Sequence, residues 1–260
     1  MKHLLPLLLA IVILTSCIRV PISNRRQMNL MSEQQLIEMA ELQYSAFKDS
    51  VTVLPFSNPK AKRVKDIGEK IQFAVEKFLS AKGYEKRIQG FNWEFITVEN
   101  EQLNAWCMPG GKVCFYTGIL DIMDSDDEIA VVMGHEIAHA IARHGNERMS
   151  QQMTLAGISG LATAGVSDST QKVSIYHRVF MGSATLGILK FSRMHESESD
   201  KLGLVFMKLA GYNPAKAISF WEKMAAQGGF VPEILSTHPS DQRRINDIKE
   251  FIKEIDSYLE

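Results

Sequence analysis

Apolar positions recur along most of this chain at helical spacing, and turn-forming residues divide them into separate segments. Ser32, with Gln35 three residues later, forms a capping-box signal that opens a first helix. A second helix is predicted over residues 59–82, because apolar residues recur there every three or four positions and Gly83 ends the run. Later helices are predicted over residues 196–210, after Asn213-Pro214 and from Ser240 onward.

The most apolar of the predicted helices covers residues 125–145. Ser125 and Glu128 form a capping-box pair, and two Asp residues in the first turn suit the helix dipole. Apolar residues then continue almost unbroken to Gly145. Such a helix is expected to be buried on most of its surface.

Strand signals are confined to residues 93–98 and 105–115, so the expected class is α+β, mainly α, with a small antiparallel sheet. Gly110-Gly111 indicates a tight hairpin turn. If these are its two central residues, Cys107 lies opposite Cys114 and a disulfide is predicted, with two free thiols as the alternative.

Residues 153–189 contain two stretches rich in Gly, Ala and Met. Close-packed helices, a cover over a site and a membrane-contacting patch would each fit this composition. Close packing within the domain is the favoured interpretation.

The first seventeen residues predict an export signal. A short positive start precedes the apolar run of residues 4–14, which is too brief to span a bilayer. Leu14-Thr15-Ser16-Cys17 resembles the bacterial lipobox, which predicts a lipid anchor on Cys17; a plain signal peptide is the alternative. Residues 18–31 are polar and are expected to form a tether, leaving 32–260 as the domain. Ile18 follows Cys17 at the position where an Asp would indicate retention at the inner membrane of a bacterial cell envelope. The periplasmic face of the outer membrane is therefore the expected location.

Composition changes this picture little. The chain has 260 residues, of which 45% are hydrophobic and 23% charged, as in ordinary globular proteins. Its formal net charge of −1 gives no basic footprint for nucleic acid, so no nucleic-acid partner is expected.

The sequence His135-Glu136-Ile137-Ala138-His139 carries the clearest chemistry. Two imidazoles one helical turn apart are able to bind one zinc ion, at about 2.0–2.1 Å from each nitrogen. Glu136 is placed to accept a proton from an attacking water. A structural helix without metal is the alternative, although burying two imidazoles and a carboxylate without a strong partner is costly.

A catalytic zinc ion usually has a third protein ligand. The candidates are His144, His177, His195, His238 and the acidic cluster of residues 196–200. Glu196 and Asp200 share a helix face, so one is able to bind zinc while the other accepts the second ring proton of a ligand histidine. Acidic residues that merely favour a helix N-terminus are the alternative.

Five stretches in this order, NAWCMPGGKVCFYTGIL, HEIAHAIARH, ESESDKLG, GYNP and STHPSDQRRI, resemble the zinc peptidases that include HtpX, BepA and LoiP. The resemblance covers roughly residues 33–252 and fits the small periplasmic lipoprotein branch best. It implies a gluzincin, or zincin-like, catalytic domain with one Zn²⁺ per chain and an edge strand above the metal.

The resemblance also assigns roles to single residues. It implies that Glu196 is the third ligand and that Asp200 is the partner of a ligand histidine, with Glu198 as a neighbour. It places His238 near the metal, where it stabilises an oxyanion or caps the resting site. Asn104 matches a residue on the strand along which a substrate peptide aligns.

The expected function is hydrolysis of internal peptide bonds in misfolded or envelope proteins, with protein or peptide substrates as partners. The competing hypothesis is a lipid-anchored, chaperone-like protein whose zinc is closed by four ligands: His135, His139, Glu196 and His238. The oligomeric state stays open.

Overall fold

The computed structural model describes residues 17–155, 192–226 and 242–259. Its strands are β1 (Cys17–Arg19), β2 (Arg26–Met28), β3 (Glu94–Val98), β4 (Ala105–Met108) and β5 (Lys112–Tyr116). Its helices are α1 (Glu33–Ser50), α2 (Pro59–Ala81), α3 (Thr117–Asp121), α4 (Asp126–Ile141), α5 (His144–Leu155), α6 (Arg193–Leu209), α7 (Lys216–Ala225) and α8 (Gln242–Glu254). The mainly helical α+β class is confirmed. Within these three ranges, no helix combines the length and the apolar character needed to cross a membrane.

A three-stranded sheet lies beside the helices, in the order β3-β5-β4. β4 and β5 are antiparallel, whereas β3 runs parallel to β5. The expectation of a wholly antiparallel sheet is therefore wrong for one of the two strand pairs. The reason is that β4 does not pair with β3, the strand before it in the sequence. Instead β5 lies between β3 and β4 and pairs with both. This arrangement leaves β4 as an edge strand that packs against α4.

The hairpin between β4 and β5 turns through three residues rather than two, since Met108 pairs with Lys112. Gly110 and Gly111 both adopt positive φ, at 89° and 83°. Glycine adopts this left-handed conformation readily because it has no Cβ. The sequence therefore identified the turn residues but not the length of the loop.

The longer loop shifts the register of the two cysteines. Cys107 pairs with Val113, and Cys114 pairs with Trp106. Because successive side chains alternate across a strand, Cys114 points to the opposite face of the sheet from Val113 and its partner Cys107. The predicted disulfide is wrong, and both thiols are free.

Helix α4 is buried at every position from Glu128 to Ile141. Ser125 caps it by accepting a hydrogen bond from the backbone N–H of Glu128, as predicted. The helix ends at Ile141 rather than at the expected position 145, because Arg143 adopts a left-handed φ of 58°. The new helix α5 then begins at His144 and returns this residue toward the site.

Helix α6 crosses α4 at two glycines. A Cβ on Gly203 would lie 2.7 Å from the backbone nitrogen of His135, and one on Gly134 would lie 2.7 Å from the carbonyl oxygen of Gly203. The two backbones therefore meet without intervening side chains. This close approach brings the first turns of α6 against the part of α4 that carries HEIAH.

Residues 17–28 form an antiparallel hairpin of β1 and β2, so the segment 18–31 is not the irregular tether that the sequence predicts. Val20 is 1% exposed and belongs to the main hydrophobic core. The guanidinium of Arg87 donates hydrogen bonds to the carbonyls of Arg19 and Ile141. The tether prediction is wrong because the polar groups of this segment find partners far along the chain, which a local pattern does not reveal.

Candidate metal centre

Three donor groups converge where α4 crosses α6. His135 and His139 stand one turn apart on α4, with their Nε2 atoms 3.1 Å apart. Glu196 of α6 faces both rings: its Oε2 atom lies 3.5 Å from Nε2 of His135, and its Oε1 atom lies 3.5 Å from Nε2 of His139. All three side chains are buried, and their donor atoms lie within 4.8 Å of one another.

This donor set fits a zinc ion. Tetrahedral zinc with bonds of about 2.0–2.1 Å separates its ligand atoms by roughly 3.3 Å. The 3.1 Å between the two Nε2 atoms lies close to that value, as does the 3.5 Å from each of them to its nearer oxygen of Glu196. Two imidazoles and one carboxylate also form a common ligand set of catalytic zinc sites.

The start of α6 explains why the acidic cluster is buried. Ser192 caps the helix by accepting a hydrogen bond from the N–H of His195, so α6 begins before the position expected from the sequence. Glu196, Glu198 and Asp200 are then only 3%, 8% and 6% exposed. Carboxylates that merely favour a helix dipole would remain in solvent, and the interpretation of a solvated helix end is therefore wrong.

His135 is supported directly by a carboxylate. Its Nδ1 atom lies 2.9 Å from Oδ1 of Asp200. Arg244 of α8 donates to both oxygens of Asp200 at 2.7 Å and pairs with Glu196 at 3.0 Å. The guanidinium of Arg244 stacks 3.7 Å from the ring centre of Trp221, which also packs against the imidazole of His135.

The electrostatic environment of His135 and Asp200 favours positive charge. Burial alone would lower the pKa of His135, but hydrogen bonds to Asp200 and Glu196 outweigh it and raise the pKa to about 9. Burial would likewise raise the pKa of Asp200, but Arg244 and His135 hold it below its usual value. Such a site suits a bound cation.

His139 is supported through a second imidazole. Its Nδ1 atom lies 3.0 Å from Nδ1 of His144, and Nε2 of His144 lies 3.0 Å from Oε2 of Glu198. Burial lowers the pKa of His144 to about 4, despite the opposing hydrogen bond to Glu198. His144 is therefore neutral at pH 7. His144, a candidate third ligand from the sequence, is not one of the three converging donors.

The carboxylate of Glu198 also faces Arg25 in the N-terminal hairpin. Nε of Arg25 lies 2.8 Å from Oε1 of Glu198, and its two terminal nitrogens lie 2.7 Å from the oxygens of Glu147. Burial alone would raise the pKa of Glu198, but hydrogen bonds from His144 and Arg25 lower it to about 2. His195 belongs to this network as well, since its Nε2 lies 3.1 Å from Glu147.

Glu136 lies beside the ligand pair on α4 and is 3% exposed. Its carboxylate adds to burial in raising the pKa of the Cys107 thiol well above its usual range. Cys107 belongs to the edge strand β4, so the HEIAH segment and this strand face one another. Asn104 stands just before β4, where its carbonyl accepts a hydrogen bond from the N–H of Tyr116.

Several expected site residues lie outside the described ranges. These are His177, His238, the lipobox before Cys17 and most of residues 153–189. The structure also adds residues that the sequence did not single out as functional: Arg25, Glu147, Trp221 and Arg244. Arg244 stands in the quoted stretch STHPSDQRRI, but an arginine carries no local signal of a carboxylate partner elsewhere in the chain.

Two buried histidines on an HExxH helix, together with a buried glutamate from a second helix, define a zincin-like metal site. The family model for Peptidase family M48 matches residues 65–252. The chain belongs to this family of metallopeptidases, and the resemblance noted from the sequence is confirmed.

Similar proteins come from eukaryotes and bacteria. The mitochondrial metalloendopeptidase OMA1 of Schizosaccharomyces pombe is 32% identical over 243 residues, covering 90% of this chain and 66% of the relative. The protein of the same name in Arabidopsis thaliana is 34% identical over 67% of this chain and 34% of its own length. The beta-barrel assembly-enhancing protease of Escherichia coli K12 is 27% identical over 60% of this chain and 34% of its own length. The chain thus spans between a third and two thirds of these three relatives.

Proposed function

We propose that this protein is a zinc-dependent endopeptidase that hydrolyses internal peptide bonds of protein substrates. The observation that carries the proposal is the convergence of His135, His139 and Glu196 at zinc-like separations. Glu136 stands next to this donor set in the sequence and on the same buried helix. In this proposal the three donors hold the metal and Glu136 is the proton acceptor.

Zinc, when bound, polarises the scissile carbonyl and lowers the pKa of water. Glu136 accepts a proton from the attacking water and delivers it to the leaving amine. Asp200 fixes the ring of His135 so that Nε2 keeps its lone pair for the metal. The buried surroundings of the three donors strengthen each of these electrostatic contacts.

The edge strand β4 offers a path for the substrate. An extended peptide adds to an exposed strand edge through main-chain hydrogen bonds, and pockets beside it select side chains. β4 packs against α4, which carries both ligand histidines and Glu136. We therefore place the substrate backbone along β4, with Asn104 at the start of this strand.

The proposed location rests on the export signal in the first seventeen residues of the sequence. A lipid on Cys17 would hold the enzyme on a membrane of the bacterial cell envelope, most simply the periplasmic face of the outer membrane. The relatives named as beta-barrel assembly-enhancing proteases support an envelope role, with misfolded or envelope proteins as substrates.

The proposal is tested by replacing Glu136 with Gln in the full chain. Glu136→Gln should retain one zinc ion and cut unfolded casein roughly 10²–10⁴-fold more slowly, since the proton acceptor is lost. Glu128→Gln is the matched control, because Glu128 is equally buried on α4 but pairs with Lys223 at the helix start. The control should cut casein at the wild-type rate.

A chelator should stop cleavage by the wild type, and added zinc should restore it. Unimpaired cleavage by Glu136→Gln would refute the mechanism. A wild-type protein that binds zinc but cuts neither casein nor an unfolded outer-membrane protein would favour the closed, chaperone-like alternative in which His238 is a fourth ligand.

A further inference from the structure

The N-terminal hairpin contributes to the metal site, and we propose that Arg25 is a positioning residue for the ligand His139. The hairpin comprises β1, β2 and the turn between them, and it precedes α4 by about a hundred residues. An unbroken series of side-chain contacts connects the hairpin to His139. The inference rests on the proposed zinc site and adds a part of the chain to which the sequence assigned only a linking role.

The contact runs through four side chains. Arg25 donates to Oε1 of Glu198 at 2.8 Å and to Oε2 at 2.9 Å, which is a two-pronged ion pair. Oε2 of Glu198 lies 3.0 Å from Nε2 of His144. Nδ1 of His144 then lies 3.0 Å from Nδ1 of His139. Each member of the chain of contacts is buried, except Arg25, which is 20% exposed.

The order of donors and acceptors along this chain is fixed by the carboxylate. Carboxylate oxygens accept hydrogen bonds, so the facing Nε2 of His144 is the donor in its 3.0 Å contact with Glu198. Nδ1 of His144 is then the acceptor, and it faces two donors, Nδ1 of His139 at 3.0 Å and the hydroxyl of Ser199 at 3.2 Å. With its proton on Nδ1, His139 keeps the lone pair on Nε2, the atom that faces His135 and Glu196.

Arg25 keeps this carboxylate in place. Glu147 receives both terminal nitrogens of the same guanidinium at 2.7 Å, so Arg25 is held from two sides. Ser23, in the same hairpin, donates to Oε1 of Glu198 at 2.6 Å. The hairpin thus supplies two of the donors that orient Glu198, and through Glu198 the ring of His144.

The test is the zinc affinity of full-chain variants, measured with zinc alone against a chromogenic chelator. Substituting a residue that hydrogen-bonds to a metal ligand typically lowers metal affinity 10–100-fold. Arg25 is more distant from the metal site, so for Arg25→Ala we expect about a fivefold loss of zinc affinity. Arg26→Ala is the matched control, because Arg26 is the exposed neighbour with no ion pair among the described residues. It should bind zinc within about twofold of the wild type.

A double-mutant cycle shows whether Arg25 acts through Glu198. We expect about a tenfold loss for Glu198→Gln. Adding Arg25→Ala to it should cause no further loss, since the two residues form one contact chain. Independent losses would multiply to about fiftyfold and would overturn the inference.

Val20→Ala separates this role from mere support of the fold. The apolar side chain of Val20 packs the hairpin into the core and forms neither hydrogen bonds nor ion pairs, so this variant should melt at a lower temperature but keep its zinc affinity. Arg25→Lys, which retains the charge but not the two-pronged contact, should recover part of the affinity.

Three results decide between the claims. Equal zinc affinities for Arg25→Ala and Arg26→Ala would overturn the inference, as would an affinity loss in Val20→Ala as large as that in Arg25→Ala. A wild-type protein that binds zinc no better than His139→Ala would instead refute the proposed zinc site itself.

Discussion

His135 and His139 stand one turn apart on the same helix, yet their second ring nitrogens are supported in different ways. His135 meets a carboxylate directly, because Asp200 lies 2.9 Å from its Nδ1. His139 meets the neutral ring of His144, and the carboxylate of Glu198 stands one imidazole further away. A supporting carboxylate therefore contacts His135 directly, whereas the ring of His144 separates the other carboxylate from His139.

The two supports also end in arginines from opposite ends of the chain. Asp200 is held by Arg244 of α8, and Glu198 is held by Arg25 of the N-terminal hairpin. Both carboxylates come from α6, two positions apart, so one helix serves both ligands while the arginines arrive from different segments. The site is therefore assembled from segments far apart in the sequence, and the supports of His135 and His139 should differ in strength.

The crossing of α4 and α6 underlies both supports, so disturbing it should have the largest effect. Gly203→Val would drive side-chain atoms into the backbone at Gly134 and His135. We expect the free energy of unfolding of the metal-free protein to fall by about 3 kcal/mol, measured by urea denaturation. In Gly145→Ala, where a Cβ meets nothing within 4 Å, the change should stay below about 1 kcal/mol.

Asp200→Asn should have the next largest effect, because it removes the charge that touches His135. We expect zinc affinity to fall about 100-fold, the upper end for such partners. Asp256→Asn is the control, since Asp256 is 81% exposed and pairs with Lys208 at the far end of α6. A loss in the control as large as in Asp200→Asn would show that overall charge, not the contact, sets the affinity.

His144→Phe should have a smaller effect, because it removes a neutral ring rather than a charge. We expect zinc affinity to fall about tenfold, the lower end of the same range. Phenylalanine keeps much of the buried volume, so the metal-free protein should remain folded by circular dichroism. If His144→Phe weakened zinc binding more than Asp200→Asn, the proposed difference between the two supports would be wrong.

The sequence predicted much of the core of the site because that information is local. The spacing of His135 and His139 requires only one helix, and the capping residues at Ser125 and Ser32 lie next to the helices they begin. The resemblance to known peptidases singles out Glu196 and Asp200, and both lie beside His135 in the structure.

The parts that the sequence did not predict depend on backbone geometry or on distant contacts. The left-handed Arg143 ends α4 early and so places His144 next to His139. One extra residue in the β4–β5 turn moves the two cysteines to opposite faces of the sheet. The hairpin of residues 17–28 has the local pattern of a polar linker, and only the contacts of Arg25 with α5 and α6 show its place in the fold.

The central claim is that His135, His139 and Glu196 hold one zinc ion together. Anomalous diffraction at the zinc absorption edge, from crystals of the full chain grown with zinc, tests it directly. We predict a single peak among the three side chains, about 2.0–2.2 Å from each donor atom. A peak at Glu198 and Glu147 instead, or no peak among the three donors, would contradict the account.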